Sequence, residues 1–287
     1  MRDPFQVIKM TSLLAATSGR PEIAIGLIDG PVEASHPDLR GARLRTIASG
    51  SQVVCQSVNS PACSHGTALS GVLCARRGSP APSICPKCTL LVRPIFCEAA
   101  SLDQCPTVAP QNLASAITEV IEAGAKVINL SLGLGNMALQ DHPDLRESFD
   151  YAFRKGILIV GAAGNHGRVG HLPLFNHPWV ITVAACNLQG QLQSGSNIGP
   201  SIGRRGLMSP GVGIVSTSST GGYTTLSGTS VATPFVTGAI ALLWSLFPNS
   251  SAERVRRAIL LPGTPRRNIV PPLMNAEASW RALSANN

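Results

Sequence analysis

Residues 111–131 read QNLASAITEVIEAGAKVINLS, a helical pattern that runs directly into an apolar strand pattern. In its first part, apolar residues recur at helical spacing until Gly124 ends the helix. Residues 145–160 repeat the arrangement, with a predicted helix over 145–155 and a predicted strand over 157–160. Alternation of this kind is typical of a parallel sheet that is covered by helices.

The same alternation extends outward in both directions along the chain. Strands are predicted over residues 22–28, 89–95, 126–131 and 180–184, and helices over 65–77 and from about 229 to 246. We therefore predict an α/β fold of three layers, in which a mostly parallel central sheet carries helices on both faces.

Three stretches lack this periodicity. Residues 46–64 and 187–210 are predicted to form long loops, and the Pro-rich tail from Pro262 is predicted to run extended over the surface. Because no repeat or Ser/Gly-rich linker interrupts the chain, we expect a single domain over residues 1–287, with a core at about 20–262 and a tail at 263–287.

The composition argues against several functional classes. Hydrophobic residues make up 44% of the 287 residues, enough for a substantial core, and the net charge is +8. Since the basic residues are scattered and no aromatic platform accompanies them, we expect no nucleic-acid partner. No stretch reaches the length of a membrane span, and the apolar run at 13–16 is shorter than the core of a secretory signal. These features predict a cytoplasmic protein with no membrane partner; secretion is the alternative.

The eight cysteines leave several alternatives open. In a reducing compartment they would be buried thiols or metal ligands, and in an oxidising one they would form disulfides. The spacing Cys85-x2-Cys88-x8-Cys97-x7-Cys105 suits zinc only in its first half, so we predict neither a metal nor another cofactor. The full set is Cys55, Cys63, Cys74, Cys85, Cys88, Cys97, Cys105 and Cys186.

Four polar residues stand where predicted strands end or helices begin. Asp29 and Asn165 follow apolar strands, whereas His65 and Ser230 stand at helix starts. A serine needs an adjacent base to become a nucleophile, an imidazole transfers protons near neutral pH, and a carboxylate orients that imidazole. We predict Asp29, His65 and Ser230 as a catalytic triad. The side-chain amide of Asn165 and the backbone N–H of Ser230 are then expected to form the oxyanion hole.

The order of these residues along the chain separates classes of serine hydrolase. Here it is Asp29, His65, Ser230, whereas chymotrypsin-type enzymes run His, Asp, Ser and α/β-hydrolases run Ser, Asp, His. The G-x-S-x-G elbow of the α/β-hydrolases is also absent around Ser230, which is followed by Val231 and Ala232. Among these three orders, only that of subtilisin fits.

With these residues in this order, and with the motifs given below, the chain resembles the subtilisin family of serine peptidases. The resemblance spans about residues 25–245. It implies the subtilisin-like fold and a serine endopeptidase activity on a peptide or protein substrate. The motifs are Asp29-Gly30 with His36-Pro37-Asp38-Leu39, Ser64-His65-Gly66-Thr67, Asn129-Leu-Ser-Leu-Gly133, Ala163-Gly164-Asn165 and Gly228-Thr-Ser-Val-Ala-Thr-Pro234.

The family resemblance also implies where substrate would lie. One wall of the cleft would be formed by Ser131, Leu132 and Gly133, and the other by Ala162, Ala163, Gly164 and Asn165. The peptide would then lie between the two walls as an added strand.

A narrower resemblance, carried by PEIAIGLIDGPVEASHPDL and the cysteine-rich stretch before LLVRPIF, is to the cyanobactin maturation proteases. It implies cleavage of a ribosomally made precursor peptide, such as removal of its leader. One branch of those enzymes is a macrocyclase with a helical insertion, for which the short spacing between Asp29 and His65 leaves little room. A macrocyclase, a general degradative protease and an inactive peptide-binding module are the alternatives.

Overall fold

The structure is a computed structural model, and it describes residues 3–47, 55–96, 98, 108–131, 142–170, 176–260 and 268–285. Leu132 and Gly133 lie outside these residues, as do Cys97 and Cys105. Within them, seven parallel strands form one sheet in the order β2-β3-β1-β4-β5-β6-β7. These strands are β1 (Ala24–Asp29), β2 (Arg43–Thr46), β3 (Thr89–Pro94), β4 (Val127–Leu130), β5 (Leu158–Ala162), β6 (Val180–Cys186) and β7 (Leu207–Pro210).

Helices cover both faces of this sheet, which confirms the predicted fold class. Two of them, α4 (Pro110–Glu122) and α5 (Pro143–Lys155), pack together on one face. On the other face α3 (Pro61–Cys74) packs against α7 (Thr229–Leu246). The remaining elements are α1 (Pro4–Val7), α2 (Thr11–Ala16), α6 (Pro200–Arg205), α8 (Ala252–Leu260), α9 (Ala276–Ser284) and an antiparallel pair, β8 (Ile214–Thr217) and β9 (Tyr223–Leu226).

The strand order reverses beside β1. From β1 the chain moves outward to β2, returns through β3, and then crosses to β4 on the other side of β1. In open parallel sheets, functional sites form at the carboxyl ends of the strands next to such a reversal. Asp29 is the last residue of β1, so it lies at this point.

Helix α7 is buried almost throughout and forms the centre of its layer. It is long and apolar enough to cross a membrane by length and composition, but 89% of that stretch is buried inside the protein. A helix that is apolar all round is typical of a protein core, and α7 contacts β4, β5, β6 and β7. Its apolar character is thus accounted for by packing against the sheet.

Three sequence expectations about connections were wrong. The predicted loop at 187–210 contains α6 and β7, and the predicted loop at 46–64 overlaps α3, which begins at Pro61. The tail does not run extended throughout, because α9 forms in it after the prolines end. The side chain of Asn275 accepts a hydrogen bond from the N–H of Ala278 and caps α9, which buries Leu283 where it packs against α2 and α8.

Candidate active site

Asp29 is held rigidly at the end of β1. This strand lies between β3 and β4, and the Asp29 side chain is fully buried. One carboxylate oxygen, Oδ1, accepts a hydrogen bond from the N–H of Gly30 at 2.7 Å. The other, Oδ2, is buried and has no hydrogen-bond partner among the described residues. A buried carboxylate in this setting favours a positively charged neighbour.

His65 reaches Asp29 because α3 lies close to the end of β1. A side chain on Gly30 would overlap the backbone of Ala62, and one on Gly66 would come within 2.5 Å of the carbonyl oxygens of Gly30 and Pro31. Both glycines are therefore needed for this close approach of backbones. The start of α3 is fixed by Ser60, whose side chain accepts a hydrogen bond from the N–H of Cys63.

The three predicted triad residues form one continuous line of hydrogen bonds. Nδ1 of His65 lies 2.7 Å from Oδ1 of Asp29, and Nε2 lies 3.0 Å from Oγ of Ser230. A carboxylate only accepts, so Nδ1–H donates to Asp29, and Nε2 is left to accept from the Ser230 hydroxyl. The His65 side chain is 28% exposed, so it also faces the cleft.

The pKa of His65 is set by two opposing effects. Burial lowers the pKa, because it disfavours the charged imidazolium, whereas the negative charge of Asp29 and its hydrogen bond raise it. The attraction prevails, and the pKa of His65 lies above its ordinary value of 6.5. His65 is thus suited to accept a proton from Ser230 during a reaction and to hold it transiently.

Ser230 stands in the first turn of α7, with its residue 9% exposed. The first N–H groups of a helix have no acceptor within the helix and carry partial positive charge. The preceding Gly228 has φ +148°, a conformation that favours glycine. A Cβ on Gly228 would lie 3.5 Å from Oγ of Ser230 and 3.2 Å from Nδ2 of Asn165, so its absence leaves space between these two atoms.

Asn165 faces this space from β5 and the turn that follows it. The turn is formed by Gly164 at φ +96°, and Asn165 itself is exposed. Its Oδ1 accepts a hydrogen bond from the N–H of Thr229 at 2.8 Å. Because the oxygen is used in this way, the Nδ2 group is the part of the amide that points towards the nucleophile.

A buried polar network supports Ser230 from below. Oγ of Ser131 donates to the carbonyl of Ser230 at 3.1 Å, and it accepts from Nδ2 of Asn129 at 2.7 Å. Oδ1 of Asn129 accepts in turn from Oγ1 of Thr237, which lies about two turns after Ser230 in α7. This series of hydrogen bonds joins the end of β4 to α7 and fixes the position of Ser230 relative to the sheet.

The predicted cleft walls are only partly within the described residues. Ala162, Ala163 and Gly164 are buried at the end of β5 beside Asn165, where the second wall was predicted. Ser131 follows β4, and its side chain points inward to Ser230 rather than outward. Leu132 and Gly133 lie outside the described residues, so their contact with substrate stays a prediction, as does that of the other five wall residues.

The cysteines divide into an oxidised pair and buried thiols. Cys55 and Cys63 form a disulfide beside the start of α3. Such bonds persist mainly in oxidising compartments, which bears on the predicted cytoplasmic location without testing it. The free thiols within the described residues are Cys74, Cys85, Cys88 and Cys186.

Three of the free thiols within the described residues, Cys74, Cys85 and Cys186, are ill suited to ionise, whereas Cys88 differs. Burial raises the pKa of Cys74 and of Cys186 to about 12. A hydrogen bond between Cys85 and Cys88 raises the pKa of Cys85 and lowers that of Cys88. The first half of the zinc-like spacing is thus a pair of hydrogen-bonded, buried thiols.

Sequence reasoning did not assign four residues that position the site. Asn129, Thr229 and Thr237 lie within or beside quoted motifs, so their neighbourhood in sequence was a usable signal. Asn197 has no such signal, because it lies in a connection that was predicted to be a loop. It approaches Asn165 only through the folded pairing of β5 with β6.

Comparison with known proteins agrees with this geometry. The subtilase family (peptidase S8) matches residues 20–264. Subtilisin DY from Bacillus licheniformis is 31% identical over 260 residues, which is 88% of each chain. Thermitase from Thermoactinomyces vulgaris is 32% identical over 240 residues, covering 82% of this chain and 78% of thermitase.

Solved structures give the same assignment. The protease domain of PatA has a TM-score of 0.81 at 29% identity, covering 94% of this chain and 98% of that one. The prenylagaramide maturation protease PagA has a TM-score of 0.81 at 28% identity, covering 96% and 98%. The PatG macrocyclase in complex with peptide, at 21% identity and a TM-score of 0.81, shares the fold. The chain belongs to the subtilase family of serine proteases and is structurally close to the cyanobactin maturation proteases.

Proposed function

We propose that this protein is a serine endopeptidase that cleaves a precursor peptide through an acyl-enzyme on Ser230. The observation that carries the proposal is the unbroken line from Asp29 through His65 to Ser230, at 2.7 and 3.0 Å, with Asn165 facing Ser230 across the cleft. These distances are within the hydrogen-bond reach that a nucleophile and its base require.

In the first half of the reaction, Oγ of Ser230 attacks the carbonyl carbon of the scissile bond while its proton passes to Nε2 of His65. The negative charge that develops on the carbonyl oxygen is stabilised by the N–H of Ser230 and by Nδ2 of Asn165. His65 then returns the proton to the leaving amine, the C–N bond breaks, and an ester on Ser230 remains.

In the second half, water attacks the ester and gives its proton to His65. The bond to Oγ breaks, the proton returns to Ser230, and the carboxylic acid product leaves. Throughout both halves Asp29 holds His65 in the tautomer that accepts at Nε2 and stabilises the imidazolium. The raised pKa of His65 reflects this stabilisation.

A precursor peptide is proposed as substrate because the structures of two maturation proteases, PatA and PagA, match nearly the whole chain. We place the peptide as an extended strand between residues 131–133 and 162–164, held by main-chain hydrogen bonds. Hydrolysis is preferred to ring closure because the short spacing from Asp29 to His65 leaves little room for an inserted helix there.

The nucleophile is tested by Ser230→Ala, with Ser227→Ala as the matched control. Both serines lie in the same segment, but among the described residues the Ser227 hydroxyl only accepts a hydrogen bond from the N–H of Gly213. We expect Ser230→Ala to abolish peptide cleavage and labelling by a fluorophosphonate probe while the unfolding midpoint is unchanged. Ser227→Ala should keep both activities. Full cleavage by Ser230→Ala would refute the assignment.

The substrate class is tested with a peptide library and casein, read by mass spectrometry. A maturation protease should cleave a narrow set of library peptides and leave casein intact, whereas a degradative protease should digest casein with little sequence demand. Products that weigh one water less than the linear peptide would identify a macrocyclase. Absence of any cleavage, with no fluorophosphonate labelling, would indicate a peptide-binding module.

A further inference from the structure

We infer that Asn197 is a positioning residue for the oxyanion hole: its side chain holds the turn that presents Asn165 to the reacting carbonyl. The inference rests on the proposed function and deepens it. Asn197 lies in the connection between β6 and α6 and is 4% exposed. Among the described residues, its side chain bonds backbone groups of the turn at 163–168 and makes no hydrogen bond to Ser230.

The side-chain amide and the backbone N–H of Asn197 bind the turn on both sides of Asn165. Nδ2 donates to the carbonyl of Ala163 at 2.9 Å, and Oδ1 accepts from the N–H groups of His166 at 3.2 Å and Arg168 at 2.9 Å. The backbone N–H of Asn197 donates to the carbonyl of Gly164, also at 2.9 Å. Both chain neighbours of Asn165, at positions 164 and 166, are thus hydrogen-bonded to the buried Asn197.

This arrangement demands an asparagine for a physical reason. The turn presents a carbonyl on one side and two N–H groups on the other, so the residue that bridges them must both donate and accept. An aspartate would place an oxygen against the carbonyl of Ala163, and an alanine would leave that buried carbonyl without this donor. The N–H groups of His166 and Arg168 would lose this acceptor. The fit is also tight, because a Cβ on Gly164 would lie 2.5 Å from Nδ2 of Asn197.

The turn has few other anchors near Asn165. The N–H of Gly164 donates to Oγ1 of Thr229, and Gly167 donates to the carbonyl of Gly195. The amide of Asn165 itself is oriented through one bond, from the N–H of Thr229. Since an oxyanion donor works only when it is placed to within a fraction of an ångström, loss of Asn197 would misplace Nδ2 of Asn165 without removing it.

The inference makes a kinetic prediction for Asn197→Ala and Asn197→Asp. We expect kcat, measured per Ser230 titrated with a fluorophosphonate, to fall about 10- to 100-fold, with KM for a fluorogenic library peptide changed less than about twofold. Normalisation to titrated Ser230 counts only folded enzyme, so a loss of stability does not hide the effect. The pH at which kcat/KM falls on the acid side should stay unchanged, because that limb reports His65.

The matched control is Ser196→Ala. Ser196 is as buried as its neighbour, but its Oγ bonds the N–H and carbonyl of Ala185 on β6 and makes no recorded contact with the turn at 163–168. We expect this variant to lower the unfolding midpoint while kcat stays within about twofold of wild type. A fall in kcat equal to that of Asn197→Ala would show that any loss of packing here slows the enzyme and would overturn the inference.

A double-mutant cycle with Asn165→Ala gives the decisive result. If Asn197 acts through the Asn165 amide, then adding Asn197→Ala to Asn165→Ala should lower kcat by less than about twofold, since there is no amide left to position. Full additivity, or a shifted acid limb in the single variant, would overturn the inference. If wild-type protein cleaves nothing, the proposed function itself fails, and the two failures are thereby distinguished.

Discussion

The two sides of Ser230 are built on different physical principles. On the proton-transfer side, one fully buried carboxylate and one imidazole form a single line, and each depends on the charge of the other. On the oxyanion side, the neutral side-chain amides of Asn165 and Asn197 are held by several separate hydrogen bonds to backbone groups. A function that rests on two side chains in a single line should be lost in large steps, whereas one that is spread over a network should be lost in smaller steps.

The largest step is expected for His65→Ala. It removes the only base in contact with Ser230 among the described residues, so kcat should fall about 10⁶-fold, close to the effect of losing Ser230. The control is His177→Ala, because His177 also pairs with a carboxylate, Asp150, but precedes the amino end of β6, whereas Asp29 lies at the carboxyl end of β1. Initial rates on a fluorogenic peptide should separate the two. If kcat of His65→Ala fell by less than about a hundredfold, the proton-transfer side would not be lost in larger steps than the oxyanion side.

Asp29→Asn should give the next largest effect and a change in pH dependence. The neutral amide cannot stabilise the imidazolium, so kcat should fall about 10⁴-fold. In the wild type, activity is lost as pH falls through the raised pKa of His65, since only neutral His65 accepts a proton. Burial lowers that pKa and Asp29 raises it. Without Asp29 the acid limb of kcat/KM should therefore move to lower pH.

The pH–rate profile from pH 4 to 9 tests the sign of this shift. Asp150→Asn serves as control, because it removes the carboxylate of the remote His177 pair and should leave both kcat and the acid limb in place. If the limb of Asp29→Asn moved to higher pH, Asp29 would be lowering rather than raising the pKa of His65, and its role in stabilising the imidazolium would be wrong.

Asn165→Ala should cost less than either change on the proton-transfer side. It deletes one of two oxyanion donors, so kcat should fall about 10²- to 10³-fold with KM little changed. Because Asn165 makes no recorded contact with His65, the acid limb should remain at the wild-type pH, in contrast to Asp29→Asn. Asn187→Ala, in an exposed turn where the side chain accepts from Gln189 and Gln191, is the control and should be silent. A shifted limb in Asn165→Ala would show that the two sides are coupled.

The same division separates what the sequence could predict from what it could not. Asp29 ends β1, Asn165 follows β5, and His65 and Ser230 lie in the first two turns of their helices, so local pattern was enough to find all four. Helix α5, predicted over 145–155, likewise follows from its own apolar face. These features depend on residues that are close together in the chain.

Features that depend on distant residues were not predictable. Strand β7 is four residues long and reads LMSP, too short to show a period, and it exists because β6 and Leu273 offer it partners. Asn197 becomes important only because β5 and β6 pair and bring its connection against the turn after β5. Helix α9 was not predicted because the prolines before it favour an extended tail. Its caps and apolar face are nevertheless local features of the sequence.

The smallest effect on catalysis is expected from a change in the buried hydrogen-bond network that supports Ser230, at the residue furthest from Ser230. Thr237→Val is nearly isosteric, but it removes the hydroxyl that donates to Oδ1 of Asn129 and leaves that oxygen buried without this donor. The free energy of unfolding should fall by about 1–3 kcal/mol. Activity should fall only a few-fold, because Ser131 and the hydrogen bonds within α7 still fix Ser230.

Urea unfolding and kcat on the same samples test this expectation, with Thr118→Val as control. Within the part of the chain that the structure describes, the Thr118 hydroxyl bonds only the carbonyl of Ala114 in its own helix, at an exposed position of α4. Its loss should therefore change stability by less than about 0.5 kcal/mol. If Thr237→Val instead cost as much kcat as Asn165→Ala, the support beneath Ser230 would be as sensitive as the oxyanion donor itself. The idea that this side of the site distributes its function over many weak contacts would then be wrong.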